Sequence, residues 1–282
     1  MKIFYAGGAR YVDVNTGKMI GLGYDLMKNH LTAWIDKSEM EIRERYLKED
    51  CHFIADSGAF TAYTKGKEIS LEKYRDFMFE YIEKYKDRLL SLNFINLDKI
   101  GDAEESWKNQ SRLEKMGLNP IPVVHQYGFK VKYLEKAYHE YDYFAFGGMW
   151  GRSRKEDTVP WLNFCYQKIM KWVKKGNKLP KVHFLGIGSD RILMRFPAYS
   201  CDNTKWMSVN KYGKSLYCKD LVIPKAGQRH IKSYKNESKY EYDKAKDQLL
   251  LAKIVENELR MYKKKEEEIT EFWKQRGIDY DV

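Results

Sequence analysis

The sequence predicts an α/β chain folded as a (β/α)8 TIM-like barrel with a helical appendage at its C-terminal end. Two observations carry that expectation. Short apolar runs alternate with amphipathic stretches at least six times, the pattern of parallel strands joined by crossover helices. Asp56, Asp98, Gln126, Gly147 with Gly148, Gly186 to Gly188 and Asp202 all fall at the C-terminal ends of predicted strands. A doubly wound sheet fits the alternation as well. It concentrates its functional groups at one switch point, however, and usually opens on a Gly-rich turn, for which "AGGAR" (6–10) is too short. A barrel brings every strand end to one rim.

Taken in order, "KIFYAG" (2–7) reads as a buried strand and "HFIADSG" (52–58) as another, ending on polar residues and glycine. Tyr74, Phe77, Met78, Tyr81, Ile82 and Tyr85 then recur at helical spacing with charges between them, which marks a core-facing helix. "LLSLNFINLD" (89–98) is a strand ending at Asp98, and "DAEESWKNQSRLEKMG" (102–117) a helix with an acidic first turn and a terminal glycine. "PIPVVHQYG" (120–128) and "YFAFGGMWG" (143–151) are strands around the helix "KVKYLEKAYHEY" (130–141). A helix at "TVPWLNFCYQKIMKWVKKG" (158–176) leads to the strand "KVHFLGIGS" (181–189), the short helix "DRILMRF" and a last short strand "AYSCD" (198–202). From about Ser238 to Lys274 one or two helices follow. Leu249, Ala252, Leu259 and Tyr262 form their apolar stripe, and "KKKEEE" (263–268) reads as a solvated charged turn. The expected division is a barrel core over 1–210 and a basic, helical extension over 211–282 packed on it.

Composition sets the outer bounds. Hydrophobic residues at 43% and charged residues at 32% describe a globular chain that forms a core rather than a disordered one. Lys and Arg number 51 against 40 Asp and Glu, a net charge of +11 that suits a polyanionic partner or a merely solvated surface. No segment is apolar enough to span a bilayer and the start shows no signal-peptide core, so the expected setting is the cytoplasm. Cys51, Cys165, Cys201 and Cys218 are scattered, as reduced thiols would be, and make no zinc-ligand spacing with the histidines. No metal and no cofactor are expected.

The chemistry rests on three aspartates. "ADSGAF" places Asp56 at a strand end, "INLDKIGD" does so for Asp98, and "YSCDNT" for Asp202. Singly each reads as a cap or turn residue; Asp-Asn-Thr is ordinary turn chemistry. Three carboxylates on one rim repel one another, which raises some pKa values and favours acid/base work. A carboxylate also serves as a nucleophile at a sugar anomeric carbon.

"DSGAF", "NLDKIGD", "HQYG", "FGGMWG", "HFLGIG" and "YSCDNTKW", in that order, resemble the tRNA-guanine transglycosylase superfamily. The likeness is greatest to its short phage and bacterial branch, which inserts 7-deazaguanine bases of the preQ0 type into DNA. It covers roughly residues 1–210. The resemblance implies a barrel that exchanges guanine by double displacement. Asp202 is then the nucleophile and Asp56 the general acid/base. Asp98 reads the purine edge with help from Ser57, and Gln126 hydrogen-bonds the same base, with His125 as the alternative. Gly147 and Gly148 let the base approach the backbone, and Met149 or Leu185 forms a packing wall. Trp150 and Trp206 either pack a flipped base or belong to the core.

Lys205, Lys211, Lys214, Arg229 and Lys232 follow the implied nucleophile, with tyrosines between them, as suits a nucleic-acid backbone. The partners expected are DNA, a 7-deazaguanine base as small substrate, and a second copy in a homodimer. tRNA is the alternative substrate, although the chain is short for that branch and lacks its cluster of zinc-binding cysteines. A non-catalytic nucleic-acid-binding homologue and a small-molecule nucleoside glycosylase are the readings from other classes.

Overall fold

The computed structural model of the chain describes residues 1–8, 10–12, 19–21, 23–149, 152–207 and 244–280. Eight strands form one all-parallel sheet: β1 (Lys2–Ala6), β4 (Asn29–Ala33), β5 (His52–Asp56), β6 (Ser91–Phe94), β7 (Val123–His125), β8 (Tyr143–Gly147), β9 (Lys181–Phe184) and β10 (Ser200–Asn203). A small antiparallel hairpin, β2 (Arg10–Val12) and β3 (Met19–Gly21), stands apart. Within the sheet the order is β6-β5-β4-β1-β10-β9-β8-β7, so the chain winds round in sequence and β10 returns to β1, with Phe4 opposite Asp202. The outermost strands meet as well. Ile95 and Ile121 form a parallel bridge, Asn96 N donates to Ile121 O at 3.0 Å, and Ile121 N donates to Phe94 O at 2.7 Å. A curled parallel sheet of this kind, with helices between its strands, is consistent with a TIM-like barrel.

Strand alternation separates two cores. Phe4, Leu31, Ile54, Ile95, Val123 and Ala145 pack together inside the curled sheet. The intervening residues face helices: Tyr74, Phe77, Met78 and Tyr81 of α3 (Leu71–Tyr85) pack on Phe53, Ala55 and Phe94. Helices α4 (Ala103–Lys115) and α5 (Val131–Glu140) begin and end within a few residues of the sequence expectation. Asp102 caps α4 by accepting from Glu105 N at 3.0 Å, which converts its acidic start into a satisfied N-terminus. Helix α6 (Arg152–Val173) starts earlier than expected and carries Pro160 inside, where proline removes one helix hydrogen bond without ending the helix.

One strand escapes the sequence reading. β4, "NHLTA", has Leu31 and Ala33 as the apolar residues of its inner face, and buried Asn29, His30 and Thr32 break any apolar run. His30 is buried because it has partners: its Nε2 lies 3.1 Å from Met27 O and its Nδ1 3.1 Å from Arg43 Nη1. Arg43, on α1 (Lys37–Glu44), is itself buried against Glu39 at 3.0 Å and donates to Gly7 O at 2.5 Å. Burial beside that guanidinium pushes His30 down to about 3, so the ring is neutral near pH 7.

Among the described residues no α-helix joins β1 to β4; the hairpin and a 3-10 turn at Tyr24–Leu26 stand there. The outward side chains of β1, Ile3 and Tyr5, pack in one cluster with Val255, Leu259 and Tyr262 of α8 (Lys244–Lys274). The "KKKEEE" segment differs from expectation, since it lies within this helix and two of its residues bind the barrel. Lys265 is buried, donates to Gly188 O at 2.9 Å and pairs with Asp190. Glu266 accepts from Ile3 N at 2.5 Å and from Asn29 Nδ2 at 3.3 Å. An end-on charge run conceals such residues because a helix turns every third or fourth one inward. Leu249 and Ala252 belong to the part of α8 whose side chains lie outside the described residues. Among the described residues, no helix is long and apolar enough to cross a membrane.

Candidate active site

Asp56 is the last residue of β5. Its register partner is Ala33, two residues beyond the inward pair Leu31 and Ile54, so parity turns its carboxylate into the mouth of the curled sheet. Gly58 N donates to its Oδ1 at 2.5 Å. Gly58 has φ 79, and a Cβ there would stand 2.5 Å from Ile35 Cγ1, so the tight turn that delivers this N–H requires glycine. Burial lifts the Asp56 carboxyl from its ordinary 3.8 to about 7; the Gly58 N–H bond opposes the rise, and the charges of Asp202 and Asp98 add to it.

Asp98 lies four residues past the end of β6. That extension is fastened by buried amides. Asn96 Nδ2 donates to Ser106 O at 2.8 Å, Asn109 Nδ2 to Leu97 O at 3.0 Å, and Lys99 N to Ser106 Oγ at 2.9 Å. Asp98 Oδ2 faces His125 Nε2 at 3.1 Å. Its Oδ1 is buried and has no hydrogen-bond partner among the described residues, an acceptor that a ligand N–H would satisfy.

Asp202 is buried on β10. Its Oδ1 accepts from Gly186 N at 2.8 Å and faces His183 Nε2 at 3.2 Å. Two of the three aspartates thus come from the ends of β5 and β10 and the third from the extension after β6, and Asp56 feels the charge of the other two.

The remaining residues expected at the site divide. Ser57 is buried, and its hydroxyl accepts from Ala59 N at 3.4 Å at the start of α2 (Ala59–Thr64). Gln126 turns the other way from Asp98: its Oε1 accepts from Thr158 Oγ1 at 3.1 Å, and it lines a cleft of about 270 Å³ with Tyr127, Asp157 and Trp161. His125, one residue earlier and opposite Gly147 in register, is the side chain that meets Asp98. A larger open groove of about 450 Å³, lined by Glu44, Arg45, Lys84 and Arg88, lies on the outer helices α1 and α3, away from the strand ends. A Cβ on Gly147 would meet Val123 Cγ1 at 2.7 Å, and His125 Cδ2 and Leu185 Cδ1 both at 3.3 Å, so its absence keeps the floor of the mouth open. Gly148 has φ 72, and its position lies beside the backbone nitrogens of Gln126 and Tyr127. Leu185 is partly buried against the inner core, whereas Met149 is buried in the outer cluster.

Lys205 is exposed, with its Nζ 3.4 Å from Gly188 O. Lys211, Lys214, Arg229 and Lys232 lie outside the described residues, as do Trp150, Cys218 and His230. Trp206 is a core residue: it is fully buried and its Nε1 donates to Ala6 O at 2.9 Å. Cys51, Cys165 and Cys201 are buried free thiols. Among the described residues no group of three His, Cys, Asp or Glu side chains could hold a metal ion. Ser200 and Thr204 are expected from the sequence to hydrogen-bond Asp202; Ser200 instead bonds His183, which meets Asp202, and His183 and Tyr143 are the residues that sequence reasoning missed. The signal for His183 was available in parity, since His183 and Ser200 lie two residues before Leu185 and Asp202.

Fold and site together define a class: a TIM-barrel-like α/β protein with a carboxylate cluster at the C-terminal ends of its strands. No protein-family model matches the chain, and neither a curated protein nor a solved structure does.

Proposed function

We propose that the chain is a transglycosylase that exchanges guanine in DNA for a 7-deazaguanine base through a covalent aspartyl-glycosyl intermediate. The observation that carries this reading is the state of Asp56, held near 7 at a mouth it shares with Asp202 and Asp98. A carboxyl poised there is present in both forms at neutral pH, which suits a group that first gives and then takes a proton.

In the first step Asp202 Oδ2 bonds C1′ of the target nucleoside while the C1′–N9 bond breaks. The bonding pair leaves with guanine, and protonated Asp56 gives its proton to the departing base. In the second step Asp56 takes the ring N–H proton of the incoming 7-deazaguanine. That nitrogen bonds C1′ as the C1′–Oδ2 bond breaks, and two inversions give net retention. Asp98 offers its unpartnered Oδ1 to the N–H donors on the base edge. The target nucleotide has to leave the stack for C1′ to reach buried carboxylates.

The order of six sequence motifs supports guanine as the base, and the scattered cysteines, which make no zinc-ligand spacing, support DNA over tRNA. The test is base exchange with radiolabelled guanine, or a 7-deazaguanine, on duplex DNA, single-stranded DNA and tRNA. Incorporation into DNA is expected. Incorporation into tRNA alone overturns the choice of substrate, and full exchange by Asp202→Ala overturns the nucleophile.

A further inference from the structure

Beneath Asp202 runs a polar chain, from partly buried Tyr143 to the wholly buried Ser200 and His183, that the reaction steps above do not use. Tyr143 Oη lies 2.7 Å from Ser200 Oγ, Ser200 Oγ lies 2.6 Å from His183 Nδ1, and His183 Nε2 lies 3.2 Å from Asp202 Oδ1. Phe4 and Tyr143 both stand edge-on to the imidazole, at 5.9 and 6.5 Å between ring centres, which restricts its rotation.

We propose that His183 is a positioning residue for Asp202, held in its Nε2–H form by the Tyr143–Ser200 relay so that it occupies Oδ1 and leaves Oδ2 as the single reacting oxygen. The consequence for turnover rests on the transglycosylase reading; the relay itself does not.

Hydrogen placement selects this arrangement. If Tyr143 donates to Ser200 and Ser200 to His183 Nδ1, then Nε2 carries the ring proton and donates to Asp202 Oδ1, and every hydrogen has an acceptor. With the proton on Nδ1, Ser200 has to turn its hydrogen to Tyr143. The Tyr143 hydrogen then has no acceptor among the described residues, and the Nε2 lone pair faces a carboxylate oxygen. A doubly protonated ring strands the same tyrosine hydrogen. Tyr143 does not give up its proton instead, because burial holds the phenol well above its ordinary value. Oδ1 therefore takes two N–H donors, from Gly186 and His183, that fix the carboxylate plane. Oδ2 has no hydrogen-bond partner among the described residues.

The experiment has two arms on the full-length protein. Histidine labelled with nitrogen-15 reports the His183 tautomer from its ring-nitrogen shifts, with His183→Gln assigning the signal. A neutral ring protonated on Nε2 is expected at the pH of the exchange assay; a proton on Nδ1, or a charged ring, overturns the relay whether or not exchange occurs. Ser200→Ala is expected to release the tautomer and to lower kcat by about 10- to 100-fold with KM nearly unchanged, the loss typical of a misplaced reacting group. An unchanged His183 spectrum and unchanged kcat in Ser200→Ala overturn it as well. His183→Gln, whose amide N–H reaches toward Oδ1, should retain more turnover than His183→Leu at equal folded fraction. Wild-type protein with the expected tautomer and no exchange on any nucleic acid refutes the transglycosylase reading and leaves the relay standing.

Discussion

Asp56→Asn reads the electrostatics of the mouth directly, because it removes a titrating group while keeping its volume. Burial, with the charges of Asp202 and Asp98 added, raises this carboxyl from 3.8 to about 7. At about 1.4 kcal/mol per tenfold change in proton affinity, the rise is worth about 4 kcal/mol between the neutral and charged forms. Between pH 3.8 and about 7 the unfolded chain has lost this proton while the folded chain keeps it. Stability therefore falls as pH rises through that window and levels off above it. About 2–3 kcal/mol of the decline falls between pH 5 and pH 8 by the same arithmetic. An asparagine cannot ionise, so its decline disappears. Glu266, raised to about 7 by its own burial, titrates in the same window in both proteins and cancels in the difference. Urea denaturation of wild type and variant from pH 5 to pH 8 measures the effect. The variant should gain on the wild type as pH rises to about 7, hold that gain to pH 8 and be the more stable protein there, while losing exchange activity. Parallel stability curves, or a variant less stable at pH 8, would refute a buried, proton-holding Asp56.

Two further outcomes follow from packing. Arg43→Met takes the buried cation away from the Glu39 charge, the two side chains being 1% and 2% exposed, and should cost about 3–5 kcal/mol in chemical denaturation; adding Glu39→Gln should recover much of that loss, and additive single losses would contradict a coupled pair. Gly147→Ala forces a methyl to within 2.7 Å of Val123 Cγ1 and should lower stability by about 1–3 kcal/mol, with a raised KM for the base in the exchange assay.

The sequence made seven of the eight parallel strands legible because most of them carry a short apolar run that closes on turn residues. β4 was illegible because its outer face buries His30 beside Arg43, a polar contact between residues 13 apart that no hydrophobic pattern encodes. The α8 charge run failed for a related reason. Lys265 and Glu266 are inward because Gly188 O and Ile3 N await them, and those partners are set by a fold brought together over 77 and 263 positions.

At the candidate site, what sequence could supply was identity at strand ends, and what it could not supply was direction. Asp56 and Asp202 were legible because an aspartate closing an apolar strand has few other uses when it recurs. Gln126 shows the limit. It and His125 both sit at the end of β7, and a shift of one residue exchanges the mouth of the sheet for its outside. Register decides between them: His125 lies opposite Gly147, and Val123 below it belongs to the inner core, so His125 points at Asp98 and Gln126 at Thr158. The same parity rule, run down from Asp202, reaches Ser200, and across to β9 it reaches His183. A polar residue two positions before a strand-end carboxylate is therefore a candidate to orient that carboxylate. In this chain the rule depends on one fact beyond sequence, namely that β9 and β10 are neighbours in register, which is what sets His183 Nε2 against Asp202.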